Sequence, residues 1–400
     1  MIPPKKKLAL GFGNNIDYEI VWNGSVYEAL IREYAIRAEE LSTARPITDE
    51  RDLAISILAF LRAGSGGERF VAASSIIERF AARFEKKITL GGTSPRAALA
   101  MAVLGRSAAL HLVTQNDYVR RLLPPDSVYV CSSEEDTLYP HLIVQFCKGM
   151  QIEAGDINIR APRDNRIIYH NDADNIRMAL NEDFANLITE AEVFLISGLN
   201  AMQSDAVAVR MLASLKRIMT ALPPAAQVYM EDGGVFESYI GRLIYDALID
   251  RIDVFSLNED EMEEHLGRSV DMLDPHQVSD ALADLYVQFP VPAIVLHGMY
   301  WALAYGPDAE RLLPALHGGV TMATTRYYRG DELTLDDYRT IESTPANKAG
   351  AEFAAAIQAR LGSRVACVPV VHVEQAGATT VGLGDAFVGG FLAALAPRDA

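Results

Sequence analysis

Thr379-Thr380-Val381-Gly382-Leu383-Gly384-Asp385-Ala386-Phe387-Val388-Gly389-Gly390-Phe391-Leu392 carries an irregular, Gly- and Thr-containing run into a helical pattern. Gly384 or Asp385 is expected at the helix start. The first backbone N–H groups of such a helix have no intrahelical partner, and glycine lets an anion approach them. Gly382, Leu383 and Gly384 therefore form a natural seat for a phosphoryl group. A carboxylate beside a phosphate is repulsive unless it has a proton to take. Asp385 is thus a candidate base for an attacking hydroxyl. The plain alternative is that Asp385 caps its helix and the glycines make a tight turn.

The chain around this stretch has 400 residues, enough for one large α/β domain or two domains, and its 50% hydrophobic and 22% charged residues are an ordinary globular composition. A formal net charge of −17 argues against a nucleic-acid partner, which needs a basic face. An anionic substrate must then be met by local donors or a divalent cation. Cys131, Cys147 and Cys367 are too widely spaced for a zinc or redox motif and fit a reducing cytoplasm. The apolar run after Lys5-Lys6-Lys7 stops at Gly11, too soon for a signal segment, and no segment approaches a membrane span. The expected partners are small molecules, with the chain a monomer or small homo-oligomer.

Leu8-Ala9-Leu10-Gly11-Phe12-Gly13 reads as a short buried strand ending at a turn, Asn14-Asn15-Ile16-Asp17. Ile16 stands where a dinucleotide fingerprint needs its third glycine, so a Rossmann site is rejected. Asp17 and Asn15 follow the strand end, where ligands bind in open α/β sheets, although both residues also favour turns for their own sake. Helical patterns follow at Val26–Leu41, Asp49–Arg62 and Glu68–Phe84, the last two divided by a loop, Gly64-Ser65-Gly66-Gly67. Gly91-Gly92-Thr93 precedes a helix with Ser94 as N-cap and Pro95 at its first position; the double glycine serves either a bound hydroxyl or anion, or close packing.

Further strands are expected at Ser127–Cys131, Glu192–Ile196, Gln227–Met230, Asp253–Leu257, Ala293–Leu296 and Ala366–Val370. Helices are expected at Ala206–Leu222, Phe236–Ile249, Asn258–Leu266, Pro275–Tyr286 and Pro345–Leu361. This alternation predicts a doubly wound α/β fold, a mainly parallel sheet with helices on both faces. Residues 151–175, with Arg160, Arg163 and Arg166, depart from the rhythm and suggest a lid. The larger unit is expected to take 1–15, 88–150 and 176–400, and the lid with its helices 16–87 and 151–175. At the strand ends, Asn258-Glu259-Asp260-Glu261 reads as a capping box, or as carboxylates holding the waters of a magnesium ion with Glu231 facing the same ion. No P-loop or G-x-S-x-G sequence occurs.

With these residues gathered, the chain resembles the ADP-dependent phosphofructokinase/glucokinase family, a branch of the ribokinase-like fold. The anchors are Asn14-Asn15-Ile16-Asp17, Gly91-Gly92-Thr93, Ser197-Gly198-Leu199, Asn258-Glu259-Asp260-Glu261 and Thr380-Val381-Gly382-Leu383-Gly384-Asp385. The resemblance implies a large α/β domain with a small lid that closes over a sugar, and phosphoryl transfer from ADP to a hydroxyl of glucose or fructose 6-phosphate type. It implies that Asp385 is the base, Gly382–Gly384 the anion hole, and Asn258 and Glu261 the magnesium-positioning N-x-x-E pair. Asp17 would bind sugar hydroxyls, with Asn15, Gly92 and Thr93 nearby, and His297 and Val381 are candidate nucleotide contacts. The family often carries H-x-E where this chain has Tyr229-Met230-Glu231. Two rivals remain: an ATP-dependent sugar or nucleoside kinase of ribokinase-like fold, and a non-catalytic sugar- or nucleotide-binding protein.

Overall fold

Leu8–Gly11 (β1) is wholly buried between two parallel neighbours, which is why the strand carries no polar side chain. In the computed structural model, which describes residues 6–234, 238–372 and 381–396, sixteen strands are present. After β1 come β2 (Asn15–Ile20), β3 (Gly67–Phe70), β4 (Lys86–Gly91), β5 (Ala108–Leu112), β6 (Val128–Cys131) and β7 (His141–Phe146). Then follow β8 (Gln151–Ala154), β9 (Ile157–Arg160), β10 (Asn165–His170), β11 (Val193–Ile196) and β12 (Gln227–Glu231). The last are β13 (Val254–Asn258), β14 (Ala293–His297), β15 (Trp301–Tyr305) and β16 (Val365–Pro369).

A nine-stranded sheet has the order β16-β15-β14-β13-β12-β11-β1-β5-β6, parallel throughout except for β15, which runs against both its neighbours. Successive residues of a strand face opposite ways, so Leu8 and Leu10 enter one core and Ala9 the other. Helices Asp205–Met219, Pro275–Gln288 and Lys348–Leu361 cover one face through Met211, Leu282 and Ile357. Thr93–Val103, Leu313–Arg329 and Leu383–Leu395 cover the other through Met101, Leu316 and Phe391. The expected doubly wound architecture is therefore present. Helix Leu383–Leu395 sits very close to its neighbours: a Cβ on Gly389 would meet Ala97 O at 2.7 Å, and one on Gly318 would meet Gly390 O at 2.6 Å.

A five-stranded sheet, β3-β10-β7-β2-β4, stands apart from the large one, and β8 with β9 forms a hairpin. Its apolar face, with Ile16, Tyr18, Leu142, Val144, Ile167 and Tyr169, packs on helices Gly24–Glu33, Glu50–Ala63 and Ser74–Ala81. Register puts Asp17 opposite both Thr89 and His141, so these three share the other face, where Glu19 also lies.

Several expectations give way here. Asn15–Ile20 is a strand, because pairing with β4 and β7 overrides the turn preference of Asn and Asp. The first and third helices of the 24–84 region are shorter than expected, and β3 occupies the start of the Glu68–Phe84 stretch because it pairs with β10. Helix Thr93–Val103 begins with Gly92 as N-cap, two residues before Ser94. His141–Phe146, inside the 88–150 segment assigned to the larger unit, belongs to the smaller sheet because it pairs with β2 and β10. The helix expected at Phe236–Ile249 is Ser238–Leu248, and Phe236 lies outside the described residues.

Candidate active site

Helix Leu383–Leu395 starts at Gly382, whose φ of 68° and ψ of 25° suit glycine and leave the helix with no side-chain cap. The start falls at Leu383, ahead of the expected Gly384 or Asp385. Gly382, and not Asp385, is the capping residue, so the carboxylate is not used up there. Thr379 and Thr380 lie outside the described residues. The turn is held from behind by Arg326 of helix Leu313–Arg329, which donates through Nε to Val381 O at 2.9 Å and through Nη1 to Asp331 at 2.6 Å. Lys87 of β4 meets Asp331 at 2.6 Å, tying the smaller sheet to the same assembly. Burial pushes the Asp331 carboxyl up, but Arg326 and Lys87 outweigh it and hold its pKa at about 2.

The two ends of the sequence meet at a residue that motif reading passed over. Arg96, in the first turns of helix Thr93–Val103, is buried. Its Nη2 donates to Asp17 Oδ2 at 2.8 Å, and its Nε stands 3.7 Å from Asp385 Oδ2. Asn15 donates to the other Asp17 oxygen at 2.6 Å. Gly92 is at this junction too: its φ is 91°, and a Cβ there would meet Gly13 O at 2.8 Å. Thr93, the first helical residue, follows directly. Asp17 and Asp385 are thus gathered around one cation, with Asn15 bonded to Asp17 and Gly92 capping the helix that carries Arg96. The signal for Arg96 was present, since it is the one charged residue from Thr93 to Leu104, but a lone Arg matches no motif. Of Arg160, Arg163 and Arg166, Arg163 is occupied in holding its loop, donating to Gly64 O at 2.7 Å.

A second group gathers at the ends of β12, β13 and β14. Asn258 and Glu261 form the capping box: Asn258 Oδ1 accepts from the N–H groups of Asp260 and Glu261 at 2.8 and 3.0 Å, and Glu261 Oε2 accepts from Asn258 N at 2.8 Å. Burial, with the Asp232 and Glu231 carboxylates close by, pushes the Glu261 carboxyl well above the usual range. Glu231 Oε1 lies 3.2 Å from His297 Nε2, while its Oε2 is buried with no hydrogen-bond partner among the described residues. His297 of β14 thus sets an imidazole beside Glu231. His297 also stacks on Phe387 at 4.5 Å and stands 3.7 Å from where a Gly384 Cβ would be, so this group adjoins the glycine turn. Val381 is buried at that turn. Among the described residues, no three His, Cys, Asp or Glu side chains are grouped closely enough to hold a metal ion directly. An orphaned carboxylate oxygen beside a second carboxyl crowded by like charge does fit a divalent cation met partly through water.

Fold and site together set a glycine turn without a side-chain cap beside a carboxylate, Asp385, in a doubly wound α/β architecture. The ADP-specific Phosphofructokinase/Glucokinase conserved region matches residues 6–393, and the chain belongs to that family. It is an ADP-dependent sugar kinase, acting on a sugar hydroxyl. Among solved structures, it is similar to a phosphofructokinase from Pyrococcus horikoshii OT3 with AMP, at 20% identity and TM-score 0.76 over 99% of each chain. The last common ancestor of ADP-dependent phosphofructokinases from Methanosarcinales is 16% identical, with TM-score 0.74 over 99% of this chain and 96% of that one. An ADP-dependent kinase in complex with fructose-6-phosphate and ADPβS is 14% identical, with TM-score 0.72 over 98% and 94%. These similarities carry the fold, as the resemblance read from the sequence implied.

Proposed function

We propose that the acceptor is glucose or fructose 6-phosphate, that its hydroxyl is held by Asp17 and Asn15 beside Gly92 and Thr93, and that Asp385 takes its proton. The observation carrying this reading is the single buried guanidinium of Arg96, 2.8 Å from Asp17 and 3.7 Å from Asp385. Asp17 comes from the smaller sheet and Asp385 from the glycine turn, so an acceptor on one can present a hydroxyl to the other. The open N–H groups at Gly382, Leu383 and Gly384 accept the charge of the phosphoryl group in transfer. His297 and Val381 face the nucleotide side of the turn. Magnesium, when bound, would offset charge on the ADP phosphates. Glu231, Asn258 and Glu261 would hold it.

The smaller sheet, with its helices, acts as the lid. Its polar face carries the acceptor residues, and its closure excludes water from the phosphoryl group. The protein works in the cytoplasm as a monomer or small homo-oligomer, the free thiols Cys131, Cys147 and Cys367 suiting a reducing compartment.

The test offers purified protein, magnesium and either ADP or ATP with glucose, fructose 6-phosphate, ribose and nucleosides in turn. Sugar phosphate formed together with AMP from ADP, on glucose or fructose 6-phosphate, is the expected result. Product from ATP alone, or from ribose or a nucleoside alone, contradicts it. Ligand binding without turnover on any pair moves the chain to the non-catalytic rival.

A further inference from the structure

Arg96 is 5% exposed, and each nitrogen of its guanidinium faces a different group. Nη2 meets Asp17 and comes within 3.4 Å of both Glu19 and Thr89, and Nε faces Asp385. Nη1 is buried with no hydrogen-bond partner among the described residues. It lies against Gly382, where a Cβ would strike it. A buried donor on a charged group is costly to leave unpaired. This one is held beside the open first turn of helix Leu383–Leu395 by two carboxylates that fix the other nitrogens.

Building on the sugar-kinase reading above, we propose that Arg96 is a catalytic residue whose Nη1 donates to an oxygen of the phosphoryl group as it passes from ADP to the acceptor. In that step the acceptor oxygen bonds to the β-phosphorus while the bond from that phosphorus to the bridging oxygen breaks. AMP leaves with the bond's electron pair, and the hydroxyl proton goes to Asp385. Negative charge spreads over the three equatorial oxygens of the phosphoryl group. The turn N–H groups take some of it, and Nη1 takes a share from the side of Gly382. The same cation offsets Asp17 and Asp385, which would otherwise repel the phosphoryl group. A lysine cannot do this work, because its ammonium is a point charge without the guanidinium's planar fork of fixed directions.

The experiment compares wild type, Arg96→Lys and Arg96→Met with magnesium and the best acceptor. Turnover is measured first. Calorimetry then gives the affinity for ADP and for AMP with aluminium fluoride, which mimics the phosphoryl group in transfer. Folding of each variant is checked by thermal melting, and Arg96→Lys keeps the charge if Arg96→Met fails to fold. In Arg96→Lys, kcat and the affinity for the fluoride mimic are expected to fall together by about 10²–10³-fold, with ADP affinity within about threefold of wild type. A purely structural role would lower the melting temperature and leave the ratio of mimic to ADP affinity unchanged; that result overturns the inference. A wild type that forms no AMP overturns the kinase reading, and the inference with it. A wild type that turns over beside a folded Arg96→Lys variant of unchanged mimic affinity overturns the inference alone.

Discussion

Helix Glu259–Leu266 begins at Asn258, whose side chain takes two of its first N–H groups, while Leu383–Leu395 begins at Gly382, which has no side chain to take any. Both starts lie near the ends of β13 and β14 and carry the positive end of a helix dipole. The first adds Glu259, Asp260 and Glu261 in its opening turn, and is closed and acidic. The second has no side-chain cap among the described residues and has the cations of Arg96 and Arg326 against Gly382. A dipole alone does not choose a ligand. On the reading proposed here, side chains make one start a place for a cation and the other a place for an anion, and the two adjoin through His297.

The largest break in this contrast should come from Asp385→Asn, which leaves the open start in place and removes the base. Turnover is expected to fall roughly 10²–10⁴-fold, with sugar and ADP binding near wild type by calorimetry. Near-normal turnover would remove Asp385 from the chemistry. Gly382→Ala closes the open start instead: its Cβ would press on Arg96 and Arg326 in a left-handed conformation that costs an L-residue roughly 1–2 kcal/mol. Displacing those donors by an ångström should lower kcat about 10²-fold, read beside a melting curve that shows the variant folded.

How much of this contrast the sequence carried depends on how local each feature is. The capping box and the glycine turn are short-range patterns, so Asn258, Glu261 and Gly382–Asp385 were legible. The buried parallel strands were legible as apolar runs between turn residues. Strand β2 was hidden because Asn15 and Asp17 favour turns and only pairing with distant β4 and β7 decides otherwise. Helix Leu313–Arg329 was hidden because Gly318 and Gly319 argue against a helix until their close contacts with Gly390 and Phe387 are seen. Arg96 was hidden because its meaning is its partners, Asp17 and Asp385, some 80 and 290 positions away.

Glu261→Gln probes the closed start. The amide oxygen can still accept from Asn258 N, so the helix cap survives while one carboxylate is lost. The magnesium concentration for half-maximal rate is expected to rise about 10–100-fold; an unchanged titration would leave Glu261 a cap only. The smallest effect concerns the support behind the open start. Asp331→Asn removes the charge shared by Arg326 and Lys87 and should cost about 1.5–3 kcal/mol near neutral pH. Because the folded-state pKa of Asp331 is depressed to about 2, the wild type's advantage is full above the ordinary Asp range and fades as pH falls through that value. Urea melts of both proteins from pH 7 down to about 2 would show it, and a difference that does not shrink at low pH would place the effect elsewhere.

The contrast between the two helix starts is tested most directly by a crystal structure of the protein with ADPβS, sugar and manganese in place of magnesium. The account predicts an anomalous manganese peak beside Glu231 and Glu261, and the terminal phosphate of the nucleotide on the N–H groups at Gly382–Asp385. A phosphate seated on the Asn258 start, or a metal peak remote from both glutamates, would contradict it.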